Sequence, residues 1–518
     1  MKEGKIKMSG NGGANSSVRP TSGPVEGIEL VFGLVGPTGV DLSTVCNALQ
    51  SELMAVDYIP FVVSLSDLIP RYSKKPFHPL SDYHRIKTLM TMGSELRENT
   101  GQADVVGRLG IARIREMRNE YHGDDRTPIS RAAYIVRSFK RPEEVQLYRD
   151  VYGKAFILIS VYSPRQARVK YLTAKFAASP RIKKKAEQRA VELINRDYSE
   201  EGAEKFGQNV GGTFPLSDYF VTSGSPREVE KNIRRLVHLI FGDPYISPTR
   251  DEQGMFFAQA AAFRSLDLSR QVGAAVISKD GDLLSTGCNE VPKFGGGLYW
   301  GEDNPCARDF EIGHDFNVTI KREIVQDIFA RLRDAKWLSQ EAAEKSDDEL
   351  TELSLDGNDE LIRGSKLFDV IEFGRAVHAE MSAITQAAKN GISLAGNRLF
   401  CTTFPCHICA RHILSSGLME CVFIEPYEKS RTGELYDDSI SIEPAEEPRN
   451  KASFRAFVGV APRRYMELFE MTTKRKNKKG KVLDSMEIAK NPKIKRFVLT
   501  YISFEDIIIL ETASPNGR

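Results

Sequence analysis

Four side chains between positions 378 and 409 could do chemistry together. His378 and Glu380 lie in H-A-E-M-S-A-I, and Cys406 and Cys409 lie in F-P-C-H-I-C-A-R-H. One imidazole and two thiolates fill three corners of a zinc tetrahedron and leave the fourth for water. Zinc brings the pKa of such a water to about 7, so hydroxide is available near neutrality. Glu380, just past the histidine, can face the same pocket without binding the metal. There it would carry a proton from that water to a ring nitrogen and then to a departing amine.

His-x-Glu followed by Pro-Cys-x-x-Cys is the signature of zinc deaminases that act on nucleobases. The elements that must position these residues are two helix starts. Apolar and small residues recur at helical spacing through R-A-V-H-A-E-M-S-A-I, and Pro405 suits the first turn of a helix. Cys406 and Cys409, separated by three positions, project to the same side of one turn. The positive ends of two helix dipoles would then converge on one ion and keep the thiols ionised. Buried core cysteines with a core histidine would not account for His, Glu, Pro, Cys and Cys at this spacing. His407 and His412 complete no pattern and are read as helix-surface residues. Cys306, His314 and Cys288 are partial ligands for a second structural zinc, without a C-x-x-C core.

The chain has 518 residues, more than one ordinary core, so two or three domains are expected. Lys plus Arg number 72 against 70 for Asp plus Glu, which excludes a global electrostatic bias toward nucleic acid or anionic membrane. No apolar run reaches the roughly 18 to 20 residues that span a bilayer. Residues 1–27 are Gly, Ser, Lys and Asn rich and read as a disordered tail with no secretory middle. Seven cysteines, an odd number thinly spread, point to a reducing cytoplasm and to thiols kept for metal or core.

The N-terminal part alternates strand and helix patterns, which predicts a parallel sheet covered by helices. Strands are expected at Leu30–Val35, Phe61–Leu65, Ala133–Val136, Ala155–Val161 and Asp218–Thr222. After the first comes G-P-T-G-V-D-L-S-T, from Gly36 to Thr44, and then a helix to about Met54. This turn has the frame of a Walker A loop, whose N–H groups cradle phosphates, with Gly36, Gly39, Ser43 and Thr44 as candidate nucleotide contacts. Asp41 and Leu42 stand where Gly and Lys are needed, so the phosphate anchor is lost. A regulatory nucleotide or a scaffold role is expected in place of kinase chemistry. Arg137 follows a strand where a phosphate arginine would fit, and Arg181, Lys183, Lys184 and Lys185 form a basic patch.

G-D-P-Y-I-S-P-T-R separates this region, 28–245, from a second one, 250–518. The second begins with a helix from Glu252 to Leu266 and a hairpin of Gln271–Ser278 and Leu283–Gly287. It carries a charged helical insertion at about 320–365, expected on the surface. Its C-terminal extension, about 445–518, holds a basic run from Lys474 to Lys481, read as an exposed loop.

The stretch Ser269–Gly297, then HAEMSAI, then TTFPCHICARHILSSGLMECVFIEPY resembles deoxycytidylate deaminases. Joined to a kinase-like domain with a degenerate Walker A loop, it resembles the bacterial anti-phage dCTP deaminases. The resemblance implies an α/β fold with a P-loop kinase-like parallel-sheet domain followed by a cytidine-deaminase-like α/β/α domain. It also implies Zn²⁺, hydrolysis of dCTP or dCMP to the deoxyuridine nucleotide, depletion of a pool an infecting phage needs, and a homo-oligomer. Asn289 would contact the sugar, Tyr427 would close the base pocket, and Ala379 is the third substrate-contact candidate. A small inhibitory RNA or a nucleotide would hold the enzyme off. Two other readings stand beside this one. One is an RNA- or DNA-acting deaminase, which needs a basic channel with interleaved aromatics that the core around His378 lacks. The other is a nucleotide- or RNA-sensing regulatory protein on an inactive scaffold, against which the intact Glu380 argues.

Overall fold

A computed structural model describes residues 27–73, 75–178, 185–200, 205–357, 372–426, 430–443, 450–484, 492–494 and 498–513, with isolated positions 362, 365, 367 and 370. Continuous apolar runs such as LVFGLV at Leu30–Val35 are buried on both faces, as parallel strands between helices must be. The first sheet holds β1 (Leu30–Val35), β2 (Ile59–Ser64), β3 (Ala132–Phe139), β4 (Phe156–Tyr162) and β5 (Tyr219–Thr222), all parallel to their neighbours. Helices Leu42–Ala55 and Pro226–Ile240 pack on one face through Val45, Leu49, Ile233 and Leu236. Helices Val105–His122 and Pro142–Tyr152 cover the other.

The second sheet is built from β6 (Gly273–Ile277), β7 (Leu283–Cys288), β8 (Arg398–Thr403), β9 (Glu420–Glu425), β10 (Ile440–Ile442) and β11 (Ala452–Ala456), in the order β10-β11-β9-β8-β6-β7. The hairpin β6/β7 and the pair β6/β8 are antiparallel, and the remaining pairs are parallel. Helices Ala379–Lys389 and His407–Ser415 lie on one face, and Arg250–Ala262 on the other. The mixed α/β architecture, a parallel sheet followed by an α/β/α unit, is the one expected.

Close approach at the hairpin depends on two glycines. A Cβ on Gly273 would lie 2.0 Å from the Ala258 carbonyl, and one on Gly287 would lie 2.3 Å from the Ala379 carbonyl. Both helices therefore sit directly on the strands.

The C-terminal extension does not stay with the second sheet. Strand β12 (Gly459–Val460) adds antiparallel to β5 at the edge of the first sheet. The Val460 N–H donates to the buried Glu252 carboxylate at 2.9 Å, which also takes the Arg235 guanidinium. Gly459 has φ 126°, and a Cβ there would stand 2.7 Å from the same carboxylate. Helix Val498–Ala513 then packs on Val105–His122, so the chain's end closes over its beginning. Binary patterning could not show this, because a two-residue strand has no period to read.

Candidate active site

His378 and Cys406 are the N-caps of helices Ala379–Lys389 and His407–Ser415, so the two helix starts converge as their sequences require. The Cys406 sulfur accepts the Cys409 backbone N–H at 3.4 Å, a cap made by a thiol in place of a hydroxyl. His378 Nδ1 lies 3.3 Å from Cys406 Sγ and 3.4 Å from Cys409 Sγ. All three ligand atoms fall within 4.8 Å of one another, and among the described residues they form the only such group of three or more metal-binding side chains. Zinc bonds of about 2.0 Å to nitrogen and about 2.3 Å to sulfur give tetrahedral edges of roughly 3.5 Å, which these separations match. The donor set therefore fits zinc. Cys306, His314 and Cys288 form no second group.

The local electrostatics favour metal binding. A hydrogen bond with Cys409, with further help from His378, pulls the Cys406 thiol down to about 4, against its burial. The Cys406 sulfur in turn raises His378 to about 9. Glu380 is 4% exposed, and burial followed by the Cys406 charge raises its carboxyl above the ordinary range. A carboxyl held this way takes up a proton more readily than one in water.

A cavity of about 240 Å³ opens beside this group. His378, Ala379, Glu380, Cys406 and Asn289 line it, whereas Cys409 lies behind Cys406 and is buried. Asn289 is held rigidly: its Oδ1 accepts the Val272 N–H at 2.7 Å and its Nδ2 donates to the Arg270 carbonyl at 2.7 Å. Tyr427 lies outside the described residues, as do Arg181, Lys183 and Lys184.

Sequence reasoning missed several residues of the lining. Arg270 and Arg375 bring cations to the cavity, and Phe404 forms part of its wall. Arg375 donates to Asp309 at 2.8 Å and sits over the Phe316 ring. Asp309, Asp315 and Asn317 also face the cavity, just ahead of the region read as a surface insertion. Helix Phe316–Asp334 is mostly half-buried, and helix Asp347–Asp356 buries Leu350, Thr351, Ser354 and Leu355 while exposing its other face. Arg375, three residues before His378, was within reach of a motif reading, but nothing periodic marks Asp309 to Asn317.

The Gly36–Thr44 turn follows β1 of the first sheet, and several of its polar groups are engaged within the fold. Asp41 caps helix Leu42–Ala55, accepting the Ser43 N–H at 2.9 Å and the Thr44 hydroxyl at 2.6 Å. Burial opposes ionisation of Asp41, but these hydrogen bonds hold its carboxyl below the ordinary value. The Thr38 N–H donates to Asp197 at 2.6 Å, and Lys140 bridges Asp197 and the Gly36 carbonyl at 2.8 and 3.1 Å.

Residues 248–425 match the cytidine and deoxycytidylate deaminase zinc-binding region. The chain is 42% identical over 62 residues to the deoxycytidylate deaminase of Enterobacteria phage T4, which is 12% of this chain and 31% of that protein. It is 41% identical over 64 residues to a probable deoxycytidylate deaminase of Drosophila melanogaster, 12% of this chain and 30% of that one. The chain thus spans about a third of the length of these curated relatives. Among solved structures, the apo dCMP deaminase of cyanophage S-TIM5 is 18% identical, with a TM-score of 0.21 and coverage of 40% of this chain and 99% of that one. The shikimate kinase of Bacteroides thetaiotaomicron is 11% identical, with a TM-score of 0.24 and coverage of 40% and 97%. No helix among the described residues is long and apolar enough to cross a membrane. Residues 248–425 thus match a zinc-binding deaminase region, and His378, Cys406 and Cys409 are the side chains within the matched segment that could hold the ion.

Proposed function

We propose that the chain hydrolytically deaminates free deoxycytidine nucleotides, dCTP or dCMP, to the deoxyuridine nucleotides with release of ammonia. The observation that carries this is the cluster of His378, Cys406 and Cys409 beside one 240 Å³ cavity that His378, Cys406 and Glu380 line. Zinc held by His378, Cys406 and Cys409 would supply a nucleophilic hydroxide near neutral pH. Glu380 takes the proton of the attacking water, gives it to ring nitrogen 3 and then assists the leaving amine. Its burial lets it hold that proton between the two transfers. Asn289, fixed by two backbone hydrogen bonds, offers its remaining N–H and lone pair to the sugar. Arg270 and Arg375 stand at the cavity as partners for phosphate. The similarity of residues 248–425 to deoxycytidylate deaminases supports a nucleotide substrate.

The wider role follows the same reading: depletion of the dCTP pool in antiviral defence, by a cytoplasmic homo-oligomer, with residues 28–245 as a regulatory domain and 250–518 as the catalytic one. The test is turnover of dCTP, dCMP and a single-stranded oligonucleotide by the zinc-loaded chain and its Glu380→Gln variant. Free nucleotides should be converted, with a loss of about 10² to 10⁴ in the variant and no loss of zinc. Unchanged turnover in the variant, or uracil only in the oligonucleotide, would reject the proposal.

A further inference from the structure

Tyr162 is the last residue of β4, so it belongs to the first sheet and lies outside residues 248–425. Its half-buried ring packs against the apolar cluster on the face of the second sheet that carries helices Ala379–Lys389 and His407–Ser415. The same ring packs against the cluster that joins the first sheet to the opposite face of the second, where Phe214 stands 6.3 Å away at 70°. Among the described residues, no other partly buried side chain is shared by these two clusters.

A short aromatic series leads from Tyr162 to the deaminase-like cavity. Its ring meets the buried Phe423 of β9 edge-on, with centroids 6.4 Å apart and planes at 83°. Phe423 meets Phe404 edge-on in turn, at 4.8 Å and 85°. Phe404 is part of the wall of the 240 Å³ cavity. In such pairs the positive edge of one ring faces the negative face of the next, so the tilt of each ring depends on its neighbour. The main chain of Phe404 is pinned, because its N–H donates to the Glu425 carbonyl at 2.8 Å. The angle its ring presents to the cavity is therefore decided by Phe423 and by Phe454, which stands 5.9 Å away.

Tyr162 is itself held at both ends. Its carbonyl accepts the Ser223 N–H at 2.8 Å. Its phenol donates to the Glu443 carboxylate, which also accepts the Ala456 N–H at 2.5 Å. Glu443 adopts φ 51°, a left-handed conformation that a residue other than glycine takes at a cost. A side chain that only filled the junction between the sheets would need no such anchor. Tyr198, also from the first region, adds a tie at the end of the same strand by donating to the Pro426 carbonyl at 3.3 Å.

We infer that Tyr162 is a positioning residue for the deamination: from the first sheet it holds Phe423, and through Phe423 it sets the ring of Phe404 against the base of the bound nucleotide. This rests on the deamination proposed above. Residues 28–245 then complete the substrate pocket of 250–518 as well as regulating it.

The test is steady-state turnover of dCMP and dCTP by the full-length, zinc-loaded chain and by Tyr162→Leu, Tyr162→Phe, Phe423→Leu and Phe404→Leu. Tyr162→Leu should raise KM about three- to tenfold, the range of an edge-to-face contact. Its kcat should stay within about twofold, because the ring meets the base alike in the ground and transition states. A merely structural defect would do the reverse: fewer active molecules lower kcat and leave KM alone. Tyr162→Phe keeps the ring and should restore KM to within about twofold of the parent. Phe423→Leu, which removes the middle ring, should show the same split as Tyr162→Leu. In the Phe404→Leu background, Tyr162→Leu should raise KM no further, the non-additivity of residues that act through one another. A parental KM in folded Tyr162→Leu or Phe423→Leu, or additive effects in the double variant, would overturn the inference and leave the deamination standing. A parent chain that converts neither nucleotide would reject the deamination and the positioning role together.

Discussion

Arg118 and Glu505, 387 positions apart, form a fully buried ion pair at 2.5 Å. Arg118 also grips Glu29 at 2.7 Å, and Tyr152 donates to Glu505 at 2.8 Å. The C-terminal helix is thereby locked to the first strand region by charges that water cannot reach. Removing one partner leaves a buried charge without compensation, which costs about 3 to 5 kcal/mol. Glu505→Ala should lower stability by that order in denaturant unfolding, and Glu505→Gln by less, because the hydrogen bond from Tyr152 is retained.

Gly287 sets the distance between β7 and the helix that carries Glu380. A Cβ there would stand 2.3 Å from both the Ala379 carbonyl and the Ala383 nitrogen, backbone atoms that cannot yield. Gly287→Ala should therefore push His378 away from the two cysteines. Its zinc affinity, measured by competition with a chromogenic chelator, should fall at least tenfold, roughly the smallest effect seen when support of metal ligands is lost. An unchanged affinity would mean that the helix start can shift without moving the histidine.

Glu443 gives a pH dependence remote from the metal group. Burial raises its carboxyl to about 7, against hydrogen bonds from the Ala456 N–H and Tyr162. The protonated form is thus favoured in the fold. The stability it contributes is complete below the unfolded pKa of about 4.3 and is lost as pH rises through about 7. Glu443→Gln should remove this decline, so the variant's melting temperature should overtake the parent's between about pH 5 and about pH 8. Parallel profiles would reject the assignment.

Zinc removal should act on stability as well as turnover. Cys406 and Cys409 stand 5% and 1% exposed, and Cys401 and Cys421 are fully buried. Stripping the metal should lower the melting temperature and release about one zinc per chain. Cys406, whose thiol is held down to about 4, should then be the first of these four to be alkylated. Preferential labelling of Cys401 or Cys421 would contradict the geometry.

Much of the site was legible because its chemistry is written at short range. The spacing of His378, Glu380, Cys406 and Cys409 requires two helix starts, and helix geometry places their side chains whatever surrounds them. Strands β1, β3, β4 and β5 were legible within a few residues because strands buried on both faces are mostly apolar, and β2, a partly exposed edge strand, from its apolar run Phe61–Val63. The rest depends on groups far apart in the chain. Asp315 and Asn317 sit in a helical region whose period says only that it is exposed, and the packing of Arg375 on Phe316 brings them to the cavity. Asp197 reaches the Thr38 N–H from 159 positions away, a carboxylate that no reading of Gly36 to Thr44 contains. The return of Gly459 to β5 and of Glu505 to Arg118 is likewise tertiary, set by two buried carboxylates that need a donor and a cation from distant elements. Local periodicity and ligand spacing thus determined the chemistry and the order of elements. Only the long-range neutralisation of buried charge decided how the chain closes on itself and which groups face the cavity.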